Sequence, residues 1–338
     1  MREQMREQIR EHQGRIYLLL AFALAGTSVI TGRILAVTLG SFTITTISLG
    51  LLLICCAPFC MAEILNTGRR LKIRDWKMLL LQAVFGIFLF RSFLLAGIHL
   101  TSTVEAGILT GATPAITALL ALLFLKEPFS KQVVVGIGCT VAGVVLLQGI
   151  GLNAGSFSSG FLIDHLGGNL LILCAAASES TFNVISRRHS VKEQSSPQSI
   201  HPLAQTLLVA APALLLCLIP ALFEHPLAAI QQTGPQEWAA LLWYGLVITA
   251  LSFVFFYAGM KRCDAYTAAA FSGMMPLTAM LLSVLLLGES ISLIQGAGGI
   301  LVIAGILLLR KRPKGRPAEE ACRHFPPVSG SVPNLEEL

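Results

Sequence analysis

This sequence has little charge. Only 12% of its 338 residues are Asp, Glu, Lys or Arg and 54% are hydrophobic, whereas soluble domains carry about a quarter charged residues. Water is thereby excluded as the solvent of most of the surface, and the chain reads as a membrane protein. Also missing are a Gly-x-x-x-x-Gly-Lys phosphate loop and a His-Glu-x-x-His metal motif. No loop is long enough to fold a catalytic domain, so an ATP-driven pump or a membrane enzyme is disfavoured and no cofactor or metal is expected.

The eight cysteines lack the spacing of a zinc site or redox pair. Cys55, Cys56, Cys60, Cys139, Cys174 and Cys217 lie in apolar runs, and Cys263 and Cys322 in basic segments. They read as small buried hydrophobes. The net charge of +6 is not gathered on one face, which removes nucleic acid as a partner. Membrane lipid and a small-molecule substrate are the expected partners, with a second copy of the chain as a candidate.

What is there is a series of apolar runs, each long enough to cross a hydrocarbon core of roughly 30 Å. Ten are expected, at 16–37, 43–65, 77–98, 102–125, 131–150, 166–186, 202–223, 238–260, 265–287 and 291–309. The first, behind Arg2, Arg6, Arg10 and Arg15, is too long for a cleaved signal. Basic residues fall in alternate segments: the N-terminus, 69–77, Lys126 with Lys131, Arg187 to Lys192, Lys261 with Arg262, and 310–316. The segments between, including 151–168 and 224–237, hold no Lys or Arg. Because cytoplasmic loops retain Lys and Arg, both termini are expected in the cytoplasm, in a multi-pass protein of a bacterial inner membrane.

Shifting the chain on itself by about 162 residues pairs 85–147 with 247–309 without a gap, matching about 18 of roughly 63 positions. The matches include Gly97 with Gly259, Gly111 with Gly273, Pro114 with Pro276, Glu127 with Glu289, Gly136 with Gly298 and Gly143 with Gly305. Five helices per copy is an odd number, so the copies would enter from opposite faces as an inverted repeat. The expected organisation is a cytoplasmic 1–15, a first five-helix repeat at 16–150, an extracytoplasmic loop at 151–165, a second repeat at 166–309 and a disordered cytoplasmic tail at 310–338. Pro114 and Pro276 would kink helices 4 and 9 at matching heights and point to a central cavity. The glycines seven apart in helices 5 and 10 read as close helix packing, and Glu127 and Glu289 as caps.

A charge inside a membrane helix costs a few kcal/mol and is a functional candidate by default. Arg33 can reach the outer interface. The helix 3–4 hairpin is expected to bring Arg91 and Glu105 within about a turn of each other in height, either as a structural ion pair or as one that opens for a carboxylate. Thr267, uncharged, stands where the second copy would repeat Glu105. Glu179 and Asn183 share one face of helix 6. Glu179 can exchange a proton, hold a cation or amine, or join helices by a hydrogen bond. Tyr244, Tyr257 and Phe271 are candidates for lining the same cavity.

The run from Leu94 through Gly97, His99, Glu105, Gly111 and Pro114, then Leu125-Lys-Glu-Pro and Gly136 to Gly143, strongly resembles the EamA family of the drug/metabolite transporter superfamily. Tyr257-Ala-Gly through Leu287-Gly-Glu-Ser to Gly305 resembles its second domain. The resemblance implies ten helices and a secondary transporter, many relatives being exporters of amino acids, other metabolites or toxic compounds, several with proton exchange. Many members carry an Arg in helix 2 where this chain has Ser48, so that charge interaction is absent here or supplied by Arg33 or Arg91. The leading expectation is a proton-coupled or facilitative exporter of a small polar metabolite. Export of amphiphilic cations or flipping of lipid-linked groups, and a non-transporting sensor or scaffold, are the alternatives.

Overall fold

The computed structural model describes residues 2–98, 100, 109–125, 130–147, 166–194, 200–287 and 292–308. Glu105, Glu127, Glu289, the 151–165 loop and the 310–338 tail lie outside the described residues, and so does the expected Arg91–Glu105 pair. All regular structure among the described residues is helical. In chain order α1 runs Arg2–Gly26 and on through Ser28–Leu35, and α2 is Ser41–Arg70. Ile73–Ala83, Val84–Leu89 and Phe90–Ile98 form α3, and Thr113–Leu120 with Ala121–Leu125 forms α4. Lys131–Leu147 is α5, Leu166–Gln194 is α6 and Pro202–Leu222 is α7. Pro235–Leu242, Trp243–Leu251 and Ser252–Met260 form α8. The last two are α9, Ala265–Phe271 with Met274–Leu287, and α10, Leu293–Leu308.

Seven of these helices are long and apolar enough to cross a membrane, namely α1, α2, α3, α6, α7, α8 and α9; α4, α5 and α10 are shorter apolar helices. Large apolar side chains such as Phe59, Leu215, Leu285, Leu293 and Ile300 stand exposed. Lipid can cover such a surface and water cannot, which fits a multi-pass membrane protein. The first helix begins well before residue 16, because Arg2 to Gln13 are good helix formers and Glu11 pairs with Arg15 one turn on at 2.6 Å.

Glycine sets the closest helix contacts. A Cβ on Gly143 would stand 2.7 Å from the Gly298 carbonyl oxygen, and one on Gly298 would stand 2.8 Å from that of Gly143. Gly305 meets the Gly136 carbonyl in the same way at 2.6 Å. α5 and α10 therefore lie backbone to backbone at both glycine levels, the packing that small residues permit in lipid. A second matched pair joins other helices: Gly97 of α3 admits Ile172 of α6, and Gly259 of α8 admits Leu18 of α1.

α4 and α9 are interrupted at corresponding places. Gly111 and Ala112 form a turn before Thr113, and Ser272 and Gly273 form one before Met274. Pro114 sits in the first turn of the helix that restarts, where its missing N–H costs nothing. Pro276 likewise follows its break by three residues. The expected kinks are thus breaks in the helix. α3 and α8 each contain a π-helical stretch, Val84–Leu89 and Trp243–Leu251, which overlap under the same shift of about 162 residues. In α8 the Thr249 hydroxyl donates to the Tyr244 carbonyl at 2.8 Å, bonding a carbonyl that the wider turn rearranges.

At the start of α2, Glu224 from the end of α7 accepts hydrogen bonds from the Phe42 and Thr43 amides at 3.1 and 2.7 Å and from the Thr43 hydroxyl at 2.8 Å. The carboxylate fills amides that a helix start leaves unpaired and sits on the positive end of the helix dipole. A Cβ on Gly40 beside it would meet the carboxylate, so the Glu224 side chain would have to shift. Glu224→Ala is expected to cost about 1 kcal/mol of stability through the lost cap. Gly298→Val should cost more, on the order of 2 kcal/mol, by forcing α5 and α10 apart. Unfolding of the purified protein in detergent checks both, and a Gly298→Val variant as stable as the parent would contradict the close contact.

Candidate functional site

The intramembrane charges make contacts that run between the N-terminal and C-terminal halves of the chain. Arg91, just past the π-helical stretch of α3, donates to the Tyr244 hydroxyl of α8 at 2.6 Å. Its guanidinium carbon lies 5.3 Å from the centre of the same ring, within range of a cation–π contact. Glu179, near the middle of α6, accepts from the Thr113 hydroxyl of α4 at 3.4 Å, and the neighbouring Ser180 hydroxyl donates to the Thr113 carbonyl at 3.1 Å. Thr113 starts the α4 segment that restarts after the break, so Glu179 stands at a helix start, where a carboxylate is favoured. Arg91 and Glu179 are both half-buried, and among the described residues they form no ion pair with each other.

Asn183 is one turn from Glu179 on the same face and 2% exposed, and its side-chain amide nitrogen has no partner. The three aromatic candidates separate. Tyr257 and Phe271 belong to one large apolar cluster with Phe182 and Phe256, and Tyr257 is fully buried with its hydroxyl unbonded. Phe182 stacks on Phe256 with centroids 5.2 Å apart, and Tyr257 meets both rings edge-on. Tyr244 lies in a second cluster with Leu35, Ile44 and Ile248. Phe271 ends the first segment of α9 immediately before its break. The side chain of Arg33 lies outside the described residues; its backbone is in Ser28–Leu35. Thr267 is buried, and its amide donates to the Asp264 cap at 2.8 Å.

Ser48 is buried, with its hydroxyl turned back on the Thr45 carbonyl. A Cβ on Gly245, next to Tyr244, would stand 2.7 Å from the Ser48 carbonyl oxygen. Small residues on both helices thus bring α2 flush against α8 beside the ring that Arg91 engages.

Several residues of the site escaped the sequence reading. Thr113 is an ordinary polar residue until the break makes it a helix start, and the adjacent Pro114 is the signal that marks it. Gln82 of α3 and Gln205 of α7 are both fully buried and bond to each other at 3.3 Å, with His189 of α6 3.5 Å from the same Gln205 nitrogen. Amides in apolar runs carry no charge to draw notice. At the end of the bundle where α6 and α8 finish, Arg187 donates to the Met260 carbonyl at 2.7 Å, Arg10 to the Lys261 carbonyl at 3.4 Å, and Lys261 to the Ile200 carbonyl. Arg10 and Arg187 meet carbonyls at the C-terminus of α8, and Lys261 meets one just before α7, so these cations tie α1, α6, α7 and α8 together.

A bundle of long apolar helices with exposed apolar faces is a multi-pass membrane protein. The profile of the EamA-like transporter family matches residues 12–148 and again 166–311, and the chain belongs to that family. It is 31% identical over 316 residues to the uncharacterized transporter YetK of Bacillus subtilis, covering 90% of each chain. It is 24% identical over 309 residues to a WAT1-related protein of Arabidopsis thaliana, covering 86% of this chain and 83% of that one. A solved crystal structure superimposes with a TM-score of 0.67 at 21% identity over 92% of this chain and 98% of the other, a likeness of fold.

Tyr244→Phe and Arg91→Ala are expected to couple by about 1 kcal/mol in a double-mutant cycle, a hydrogen bond to a charged group discounted for partial exposure. Thermal unfolding of the two single variants and the double variant measures it. Additive losses would separate Arg91 from Tyr244.

Proposed function

We propose that this chain crosses a bacterial inner membrane ten times, with both ends cytoplasmic and its halves inverted, and exports a small polar metabolite by alternating access coupled to protons. The observation that carries this reading is that two intramembrane charges bond across the halves, Arg91 to Tyr244 and Glu179 to Thr113. Such contacts would be remade whenever one half rocks on the other, so they can link binding to the switch. A guanidinium suits a carboxylate and a carboxyl group suits an amine, which makes an amino acid or a derivative the fitting solute. Glu179 can carry the proton when no amine occupies it. The basic segments, all in alternate loops, support the orientation. The matched glycine contacts and breaks support the inversion.

A second reading, export of amphiphilic cations, draws on the Phe182, Phe253, Phe256 and Tyr257 rings packed one turn from Glu179. The two readings differ in Arg91. Metabolite pools inside and outside cells producing the parent, Arg91→Ala or Glu179→Gln at equal membrane abundance should show a compound whose export only the parent supports. Loss with Glu179→Gln alone would favour the amphiphile. Pools unchanged by the parent would count against a metabolite carrier.

A further inference from the structure

α6 carries a polar stripe that continues well past Glu179. At 100° per residue, Glu179, Asn183, Ser186 and Ser190 fall within about 60° of arc and descend about 16 Å along the helix. In a segment this apolar such a row demands a reason, because a polar group in hydrocarbon costs several kcal/mol unless it is bonded. Asn183 is 2% exposed and Ser186 and Ser190 are fully buried, yet the Asn183 amide nitrogen and both serine hydroxyls have no partner. Gln82 and Gln205 add a second pair of unpaired atoms: the Gln82 amide nitrogen and the Gln205 amide oxygen are also unbonded, although the two side chains bond each other. Three helices, α3, α6 and α7, thus contribute five buried polar atoms without partners to one end of the bundle, where His189 closes on Gln205. Buried polar atoms in native proteins are satisfied, and where no protein group does so ordered water does.

We propose that this stripe is the proton pathway between Glu179 and the cytoplasm, a short file of water seated on Asn183, Ser186 and Ser190 and walled by Gln82 and Gln205, with His189 at its lower end. The inference rests on the reading of Glu179 as the proton-exchanging group and on the cytoplasmic placement of the end of α6. When the Glu179 carboxyl group loses its proton, the nearest water accepts it at the Asn183 level. Each serine hydroxyl accepts one proton and gives up another, and one proton leaves at the His189 end. Reprotonation reverses every transfer, so no oxidant or further reactant is involved. Asn183, Gln82 and Gln205 cannot relay protons; they hold and orient the water. The charged groups around the lower end are cations engaged elsewhere, Arg187 on the Met260 carbonyl and Lys261 on the Ile200 carbonyl. Arg74, Asp75 and Lys77 stand at the near end of α3, and Arg188 is exposed. Glu179 is therefore the one acid on the stripe among the side chains described.

The test uses the full chain in sealed liposomes of selected orientation, so that an acid pulse meets one face at a time. The protonated-carboxyl infrared band that disappears in Glu179→Gln is followed in time. Ser186→Ala with Ser190→Ala is expected to slow proton arrival from the cytoplasmic face by about tenfold or more, while arrival from the outer face and the band's final amplitude stay unchanged. Each single variant should slow it several-fold. Thr181→Val, whose hydroxyl bonds the Ala177 carbonyl away from the stripe, should not. An unchanged cytoplasmic-face rate in the double variant overturns the pathway and leaves Glu179 as the exchanging group. A parent with no titrating Glu179 band overturns that reading and the pathway with it.

Discussion

Inside hydrocarbon a polar group has nothing to bond to but the protein, and that constraint orders this structure. It keeps every described segment helical and makes each departure from helix informative. The chain departs from continuous α-helix at matched places, with breaks in α4 and α9 and π-helical stretches in α3 and α8, and once without a counterpart, in the π-helical Ala121–Leu125 of α4. Three of these four matched places carry the contacts of the charges. Thr113 restarts α4 and meets Glu179; Arg91 follows the π-helical stretch of α3, Tyr244 lies within that of α8, and the two meet each other. Irregular backbone and intramembrane charge coincide because each is tolerable only where the protein itself supplies partners.

The remainder of the bundle is held together by close packing. Glycine contacts between α5 and α10 bring backbones together with few side-chain atoms between them. Lipid gives helices no hydrophobic reason to associate, so such contacts hold by shape and dispersion. The bundle is secured at its ends by different chemistry. Glu224 ties α7 to the start of α2, and at the other end Arg10, Arg187 and Lys261 hold carbonyls of neighbouring segments. Charge-to-backbone bonds at the rims can be exchanged for water when an end opens; a buried apolar seam would have to be torn.

Much of the fold was legible because the bilayer makes it so. Apolar runs located the helices to within a few residues at most boundaries, and the α1 boundary moved because an Arg- and Glu-rich stretch makes good helix as well as a good cytoplasmic flank. Gly143 and Gly298 were readable as packing, and Pro114 and Pro276 as distortions. The site was legible in parts. Arg91 and Glu179 announced themselves by charge, but the partners they found, Tyr244 and Thr113, depend on how far a π-helical turn or a break rotates the helix that follows. Sequence periodicity assumes an unbroken 3.6-residue turn and misplaces side chains beyond such points. The separation of Tyr244 from Tyr257 and Phe271 has the same origin, since the π-helical stretch of α8 lies between the two tyrosines. Gln82, Gln205 and Glu224 were invisible for another reason: an amide in an apolar run or an acid in a loop gains meaning only from what stands opposite.

The central claim is that the two halves exchange one open end for the other around Arg91 and Glu179. Spin labels on exposed positions, one pair at Arg70 and Arg188 and another at Val37 and Leu166, would report the two ends in a chain otherwise freed of cysteine. Pulsed electron–electron distances in liposomes at acidic and neutral pH test the claim directly. The account predicts that one pair separates as the other closes, and that Glu179→Gln fixes both in one state. Distances that stay constant, or that widen together at both ends, would contradict it.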